Sequence, residues 1–211
     1  MNTELVVLDM AGTTVADDGL VVRAFGEAMG SDEHLDYVMA TMGQSKITVF
    51  RAILDDENAA QQANLAFEKA YAELLDLCEP IPGAEDVIRS LREDGAKVAL
   101  TTGFSPATQQ AILDVLGWHD LADLVLAPGE GVRGRPFPDL VLAAALRLET
   151  TDLRRAAVVG DTPSDVLTGL RAGASVVAGV LTGTSTADDL GQATHVLDSV
   201  RDLPAVLKGV S

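Results

Sequence analysis

The chain has 211 residues, of which 47% are hydrophobic and 22% charged, a balance typical of folded globular proteins. Its formal net charge of −17 at pH 7 argues against a nucleic-acid partner and against an anionic membrane surface, because both would repel it. No apolar run approaches the about 20 residues of a membrane helix, no secretory signal is evident, and the single cysteine, Cys78, fits a reducing compartment, so we expect a cytoplasmic protein.

The predicted elements alternate between short apolar strands and amphipathic helices. Strands are predicted at residues 4–9, 97–101, 124–126, 156–160 and 176–180, with a weaker one at 195–197. Helical periods lie at 84–94, 106–116, 137–148, 163–173 and 199–207. Continuous apolar strands separated by helices indicate a parallel sheet covered on both faces. The expected fold class is therefore α/β, with a Rossmann-like doubly wound parallel sheet.

Residues 17–80 interrupt this alternation. They contain no strand pattern, only helical stretches such as 20–29, 47–54 and 59–77. About 65 residues are too many for a simple connection. We interpret residues 17–80 as an all-helical cap domain inserted after the first strand, with the core formed by residues 1–16 and 81–211.

Polar residues follow several of the predicted strands. In an open parallel sheet the ligand site lies outside the carboxyl ends of the strands. The residues at those ends are Asp9 with Thr13 and Thr14, Thr101 to Gly103, Gly134-Arg135-Pro136, and Gly160-Asp161-Thr162-Pro163-Ser164-Asp165. Each group alone is also typical of an ordinary turn or helix N-cap. Their occurrence together predicts a phosphate-handling site.

These motifs resemble those of the haloacid dehalogenase-like superfamily of hydrolases, and within it the phosphonatase (phosphonoacetaldehyde hydrolase) branch. The matching segments are Asp9-x-Ala11-Gly12-Thr13-Thr14-Val15, Thr102-Gly103, Gly134-Arg135-Pro136-Phe137-Pro138 and Gly160-Asp161-Thr162-x-x-Asp165. In the predicted cap, Met42-Gly43-Gln44-Ser45-Lys46-Ile47 is similar to the phosphonatase segment whose lysine forms a Schiff base with the substrate aldehyde.

The resemblance implies a set of site residues. Asp9 is expected to be the nucleophile that forms an aspartyl-phosphate, with Lys46, Arg135 and Thr102 as further catalytic residues. Mg²⁺ is the expected cofactor, because it prefers oxygen ligands. Its expected ligands are the carboxylates of Asp9 and Asp161 and the main-chain carbonyl of Ala11, with Asp165 in direct contact or behind them. The expected phosphate-binding residues are Met10, Gly12, Thr102, Gly103 and Arg135.

Ala11 stands where ordinary phosphatases of this superfamily carry a second Asp that protonates the leaving alkoxide. Alanine cannot transfer a proton, and an ester phosphatase without that acid should lose about 10²–10⁴-fold in rate. A phosphonate with an adjacent aldehyde avoids this need, because Lys46 can form an iminium that accepts the electrons of the breaking C–P bond. The alternative for Lys46 is a solvated lysine at a helix start. Val49 stands where the resemblance would place a histidine.

Three functions are compatible with this sequence. The first is a Mg²⁺-dependent hydrolase that cleaves the C–P bond of phosphonoacetaldehyde or an analogue. The second is a phosphate-monoester phosphatase of the phosphoglycolate phosphatase type, with another proton donor, and the third is a phospho-ligand-binding or signalling protein without turnover. The expected partner is a small phosphate or phosphonate molecule, and the chain is expected to be a monomer or a homodimer.

The remaining polar residues are predicted to be structural. The histidines His34, His119 and His195 are scattered without a shared spacing. Asp17 and Asp18 are predicted to form a solvated turn, although they lie at the expected hinge between core and cap.

Overall fold

The computed structural model of the chain describes residues 3–129 and 131–209. The strands are β1 (Leu5–Asp9), β2 (Lys97–Thr101), β3 (Leu124–Leu126), β4 (Ala156–Gly160), β5 (Val176–Val180) and β6 (His195–Leu197). They form one parallel sheet in the order β3-β2-β1-β4-β5-β6. The predicted α/β fold with a doubly wound parallel sheet is therefore confirmed, including the weak strand at 195–197.

The helices are α1 (Leu20–Met29), α2 (Leu35–Ala40), α3 (Lys46–Ile53), α4 (Glu57–Ala72), α5 (Ala84–Glu93), α6 (Pro106–Leu116), α7 (Asp139–Arg147), α8 (Pro163–Ala172) and α9 (Leu203–Gly209). In the described parts of the chain, none of them combines the length and the apolar character that crossing a membrane requires.

The central strand β1 is buried along its whole length. Alternate side chains enter different apolar clusters: Val6 and Leu8 join the one that includes α5 and α6, whereas Leu5 and Val7 join the one that includes α7. This alternation follows from the two-residue period of a strand and explains why β1 is apolar on both faces.

The order of the strands determines where along the sheet a ligand site can form. The chain moves outward from β1 to β2 and β3 on one side, and from β4 to β5 and β6 on the other. β1 and β4 pair directly, with Leu8 opposite Val159. The crevice at such a switch point, beyond the carboxyl ends of the strands, is where open α/β sheets bind ligands. Asp9 and Asp161 lie on the two sides of it.

Residues 17–80 contain helices α1 to α4 and no strand, and we call them the helical insertion. Phe25, Phe50 and Phe67 pack together inside it, with ring centroids 4.8–6.2 Å apart. Tyr71 connects this cluster to the rest of the molecule through Phe104, at a centroid distance of 4.6 Å. The division into a core of residues 1–16 and 81–211 and a cap of residues 17–80 stays a prediction.

Two local predictions differ from the structure. The helix expected over 59–77 ends at Ala72, and a short 3₁₀ turn, Leu75–Leu77, follows. The six-residue helix α2 was not predicted, because so short a segment cannot show a helical period clearly.

Candidate active site

Asp9 is held at the carboxyl end of β1 by a compact turn. The turn is closed by the amides of Thr13 and Thr14, which donate to the Met10 carbonyl at 3.1 and 2.9 Å. The Thr14 hydroxyl donates to the Asp9 carbonyl at 2.8 Å. Gly12 has a φ of +87°, a conformation that glycine adopts without strain. The Asp9 side chain is therefore rigidly placed and buried.

Arg135 joins the loop after β3 to the ends of β1 and β4. Its Nη2 lies 2.6 Å from Asp9 Oδ1, and its Nε lies 2.5 Å from Asp165 Oδ1. Nη2 also donates to the Thr101 hydroxyl at 2.7 Å, and Nη1 donates to the Gly43 carbonyl at 3.3 Å. A planar guanidinium can contact two carboxylates in this way, whereas a lysine ammonium is a single point charge. Arg135 therefore fixes the orientation of the Asp9 carboxyl.

Three buried carboxylates meet at the switch point. Asp9, Asp161 and Asp165 each offer an oxygen, and these oxygens lie within 4.8 Å of one another. Burial raises the pKa of Asp9 to about 7 although Arg135 opposes the shift. Burial, with the negative charges of Asp9 and Asp165, raises the pKa of Asp161 well above its ordinary value. A cluster of buried negative charge with oxygen donors suits a hard divalent cation.

The hydrogen bonds of Asp165 separate its role from those of the other two. Its Oδ1 is paired with Arg135, and its Oδ2 accepts from the amide and the hydroxyl of Thr162 at 3.1 and 2.5 Å. Asp165 thereby caps helix α8. With both oxygens engaged, Asp165 also holds Arg135 in place, and its part as a direct ligand of an ion stays a prediction.

Glycine backbone packs closely against the Asp161 carboxylate. A Cβ on Gly12 would lie 2.4 Å from Asp161 Oδ2, and a Cβ on Gly183 would lie 1.8 Å from it. A side chain at either position would displace the Asp161 carboxylate, and the buried oxygen donors of the cluster fit a bound cation such as Mg²⁺. Mg²⁺ and the main-chain ligand at Ala11 stay predictions.

Some of the predicted phosphate-binding residues line the cavity, whereas the backbone amides of others are already hydrogen-bonded. Thr102 and Gly103 line the same cavity as Asp9. By contrast, the Met10 amide donates to the Thr101 carbonyl at 3.1 Å, and the Gly12 amide donates to the Val15 carbonyl at 2.7 Å. Neither of these two amides is free for a phosphate oxygen in this structure, so Met10 and Gly12 stay predictions without geometric support.

Lys46 is buried in the same cavity, which excludes the alternative of a solvated lysine. Its ammonium lies 5.0 Å from the centroid of the Phe104 ring and 5.9 Å from those of Phe25 and Phe67. Among the described residues, none forms a hydrogen bond or an ion pair with the Lys46 ammonium. Burial lowers the pKa of Lys46 to about 8, although the negative charges of Asp17 and Asp9 act in the opposite direction. Lys46 is therefore a desolvated amine near the Asp9 carboxyl.

Asp17 is the site residue that the sequence analysis missed. It was expected in a solvated turn, but its side chain is buried and lines the cavity with Lys46, whereas the adjacent Asp18 is exposed. The Val21 amide donates to Asp17 Oδ1 at 3.2 Å. An Asp shortly before an apolar helical period can accept from an unpaired amide of the first turn, and this signal was available in the sequence. The three histidines do not line the cavity.

The helical insertion closes over this site through glycine contacts. A Cβ on Gly103 would lie 2.5 Å from the Gln44 carbonyl oxygen, and a Cβ on Gly43 would lie 2.5 Å from the Thr162 hydroxyl oxygen. These glycines let the loop before α3 approach the loops after β2 and β4. The cavity between them has a volume of about 30 Å³, room for about one or two water molecules. In this structure the insertion therefore covers the site closely.

Comparisons with known proteins agree with this geometry. The family model for haloacid dehalogenase-like hydrolase matches residues 3–173. The phosphonoacetaldehyde hydrolase of Bordetella pertussis is 27% identical, over 98% of this chain and 92% of that protein. The bifunctional riboflavin kinase/FMN phosphatase of Arabidopsis thaliana is also 27% identical, over 82% of this chain and 47% of that protein.

Among solved structures, the phosphonoacetaldehyde hydrolase-like protein of Oleispira antarctica superposes with a TM-score of 0.86 at 25% identity. The match covers 100% of this chain and 93% of that one. Because relatives named for two different activities share the same identity with this chain, the substrate has to be argued from the site itself.

Proposed function

The chain belongs to the haloacid dehalogenase-like hydrolases, and from that membership we propose that it cleaves the C–P bond of phosphonoacetaldehyde or a close analogue. The observation that supports this proposal is Lys46, a buried amine that has no ion pair among the described residues and shares a cavity with the Asp9 carboxyl. A buried amine in this position can form an imine with an aldehyde.

The environment of Lys46 favours its nucleophilic form. With a pKa of about 8, roughly one molecule in ten carries a neutral amine at pH 7, about 300-fold more than at an ordinary pKa of 10.5. Lys46 is also the first residue of helix α3, and the positive end of the helix dipole further disfavours the charged form. The amine is therefore prepared to add to a carbonyl carbon.

In the proposed reaction, Lys46 condenses with the aldehyde, releases water and forms an iminium. An Asp9 oxygen then attacks phosphorus: the new P–O bond forms as the C–P bond breaks, and its electron pair moves to the iminium, which becomes a neutral enamine. Protonation of the enamine and hydrolysis of the imine release acetaldehyde. Water hydrolyses the aspartyl-phosphate to release inorganic phosphate.

Arg135 and Asp161 complete the proposed arrangement. Arg135 holds the attacking Asp9 oxygens in place through its 2.6 Å contact, and Thr102 and Gly103 bind oxygens of the phosphonate. A divalent cation held by Asp9 and Asp161, when bound, offsets the repulsion between the Asp9 carboxylate and the dianionic substrate. Asp165 maintains the position of Arg135.

Ala11 favours C–P cleavage over ester hydrolysis. It lines the cavity beside Asp9, in the position from which a carboxyl group would protonate a leaving alkoxide. A methyl group gives no proton, and the iminium makes that proton unnecessary. Ala11 and Lys46 thus support the same reaction.

The test is reductive trapping. The protein is incubated with phosphonoacetaldehyde, Mg²⁺ and borohydride, and the peptides are analysed by mass spectrometry. We expect an adduct on Lys46 that is absent from Lys46→Arg, and equal amounts of acetaldehyde and phosphate when the reductant is omitted. Lys69, exposed on α4, gives the matched control Lys69→Arg, which should be labelled at Lys46 like the wild type.

The alternatives have distinct outcomes. Rapid phosphate release from monoesters without an adduct would replace the proposal with an ester phosphatase. A stable aspartyl-phosphate without turnover would instead indicate a phospho-ligand-binding or signalling protein.

A further inference from the structure

The proposed reaction leaves one buried carboxyl in the cavity without a role. We propose that Asp17 is the acid catalyst of imine formation, which protonates the hydroxyl group of the carbinolamine formed between Lys46 and the aldehyde. This inference rests on the proposed function, because it requires Lys46 to form an imine.

Asp17 is held in place by one oxygen and has the other unpaired. Its side chain is 7% exposed, and Oδ1 accepts from the Val21 amide at 3.2 Å. Within the part of the chain that the structure describes, the buried Oδ2 has no hydrogen-bond partner. A buried polar atom without a partner is unfavourable and therefore calls for an explanation. A hydroxyl group of a bound intermediate would supply the missing partner.

Asp17 and Lys46 line the same cavity without a direct ion pair between them, as such an intermediate requires. Asp17 is the leading source of negative charge acting on Lys46, yet no ion pair within 4.0 Å joins these two described residues. In a carbinolamine the nitrogen and the hydroxyl oxygen are about 2.4 Å apart, and the acid lies roughly 2.7 Å beyond the oxygen. The acid oxygen then lies about 4–5 Å from the nitrogen. A direct ion pair would leave no room for the carbonyl carbon.

The other ionisable groups of the cavity are less suited than Asp17 to act as this acid. Among the described lining residues these groups are Asp9, Asp161 and Arg135. Asp9 and Asp161 lie at the switch point with the phosphoryl site, and Arg135 stays protonated because Asp165 and Asp9 outweigh the effect of its burial on its pKa. Burial raises the pKa of Asp17, which retains a protonated fraction closer to neutral pH than an ordinary carboxyl would.

Asp17 gives up one proton and regains one in each turnover. The Asp17 carboxyl gives its proton to the carbinolamine hydroxyl, the C–O bond breaks, and water leaves. The products are the iminium and the Asp17 carboxylate, whose opposite charges stabilise each other. When water later adds to the product iminium, the carboxylate takes up a proton and the acid is restored.

The test isolates imine formation from phosphoryl transfer. Acetaldehyde and cyanoborohydride are added to the protein, and the rate of ethylation at Lys46 is followed by peptide mass spectrometry. Asp17→Asn keeps an oxygen for the Val21 amide but has no proton to give, and we expect it to lower this rate about 10²–10⁴-fold. Asp18→Asn, the same change at the exposed neighbouring position, should leave the rate unchanged.

A chemical rescue separates catalysis from a structural effect. In Asp17→Ala, added formate should restore trapping at Lys46, because a small acid can occupy the space of the missing carboxyl. A role limited to the hydrogen bond with the Val21 amide would not respond to formate.

The outcomes distinguish this inference from the proposed function. If the wild type traps at Lys46 and Asp17→Asn traps equally fast, the role of Asp17 is overturned and the imine mechanism stands. If the wild type itself gives no Lys46 adduct with either aldehyde, the proposed function fails, and the role of Asp17 fails with it.

Discussion

The burial of Lys46 should reduce the stability of the protein, and Lys46→Met should reveal by how much. Methionine fills a similar volume and carries no charge. The difference between an ordinary pKa of 10.5 and a folded-state pKa of about 8 corresponds to about 3 kcal/mol, at about 1.4 kcal/mol per pH unit. We therefore expect the variant to be about 3 kcal/mol more stable than the wild type at pH 7, while its C–P cleavage is abolished.

The pH dependence follows from the direction of the pKa shift. Between about pH 8 and pH 10.5, unfolded chains keep the Lys46 proton and folded chains have lost it. Because the unfolded state binds more protons in this window, the Lys46 contribution to wild-type stability rises with pH. The advantage of Lys46→Met should therefore be complete below pH 8 and absent above about pH 10.5.

Urea unfolding at pH 7 and pH 10.5 measures the stability gain of Lys46→Met and its dependence on pH. The buffer contains a chelator so that ion binding does not contribute. In thermal unfolding at pH 7, the melting temperature should rise by about 6–12 °C for a chain of this size. Lys69→Met changes an exposed lysine and should show no pH-dependent gain. A Lys46→Met variant that is no more stable than the wild type at pH 7 would refute the reasoning.

Further substitutions test other parts of the site. Ala11→Asp should raise phosphate release from monoesters by about 10²-fold, since it restores a proton donor; an unchanged rate would show that the missing acid is not the limitation. Arg135→Lys keeps the charge but cannot contact Asp9 and Asp165 together, and urea unfolding should show a loss of about 3 kcal/mol, whereas an unchanged free energy of unfolding would contradict the role of Arg135 in holding both carboxylates. Gly103→Ala places a Cβ 2.5 Å from the Gln44 carbonyl oxygen and should lower kcat at least about tenfold with little change in melting temperature; normal kcat would show that closure is not needed.

The sequence predicted the sheet and the residues around it because parallel strands bring their carboxyl ends to one edge. Asp9 and Asp161 directly follow apolar strands, so their meeting depends only on the adjacency of β1 and β4. Arg135 lies in a loop, but the glycine and proline beside it mark a fixed turn. These predictions required only local patterns and one rule of topology.

The environments of Lys46 and Asp17 could not be predicted in this way. The three rings around Lys46 come from positions 25, 67 and 104, which lie on separate elements and meet only through tertiary packing. Asp17 and Asp18 have the same local sequence context, yet one is buried and the other exposed. A left-handed φ of 43° at Asp18 turns the chain between them, and no periodicity in the sequence predicts which of the two aspartates is buried.

Closure of the helical insertion and the reactivity of Lys46 are physically linked. Phe25 and Phe67 belong to the insertion and Phe104 belongs to the loop after β2, so the amine is desolvated only while these parts are in contact. An open form that admits water would return the pKa of Lys46 toward 10.5 and leave the amine protonated. In the proposed reaction, opening to admit the aldehyde would suppress the nucleophile, and closure over the substrate would restore it. It follows that substitutions at the glycine contacts should slow imine formation at Lys46 without altering any group that reacts.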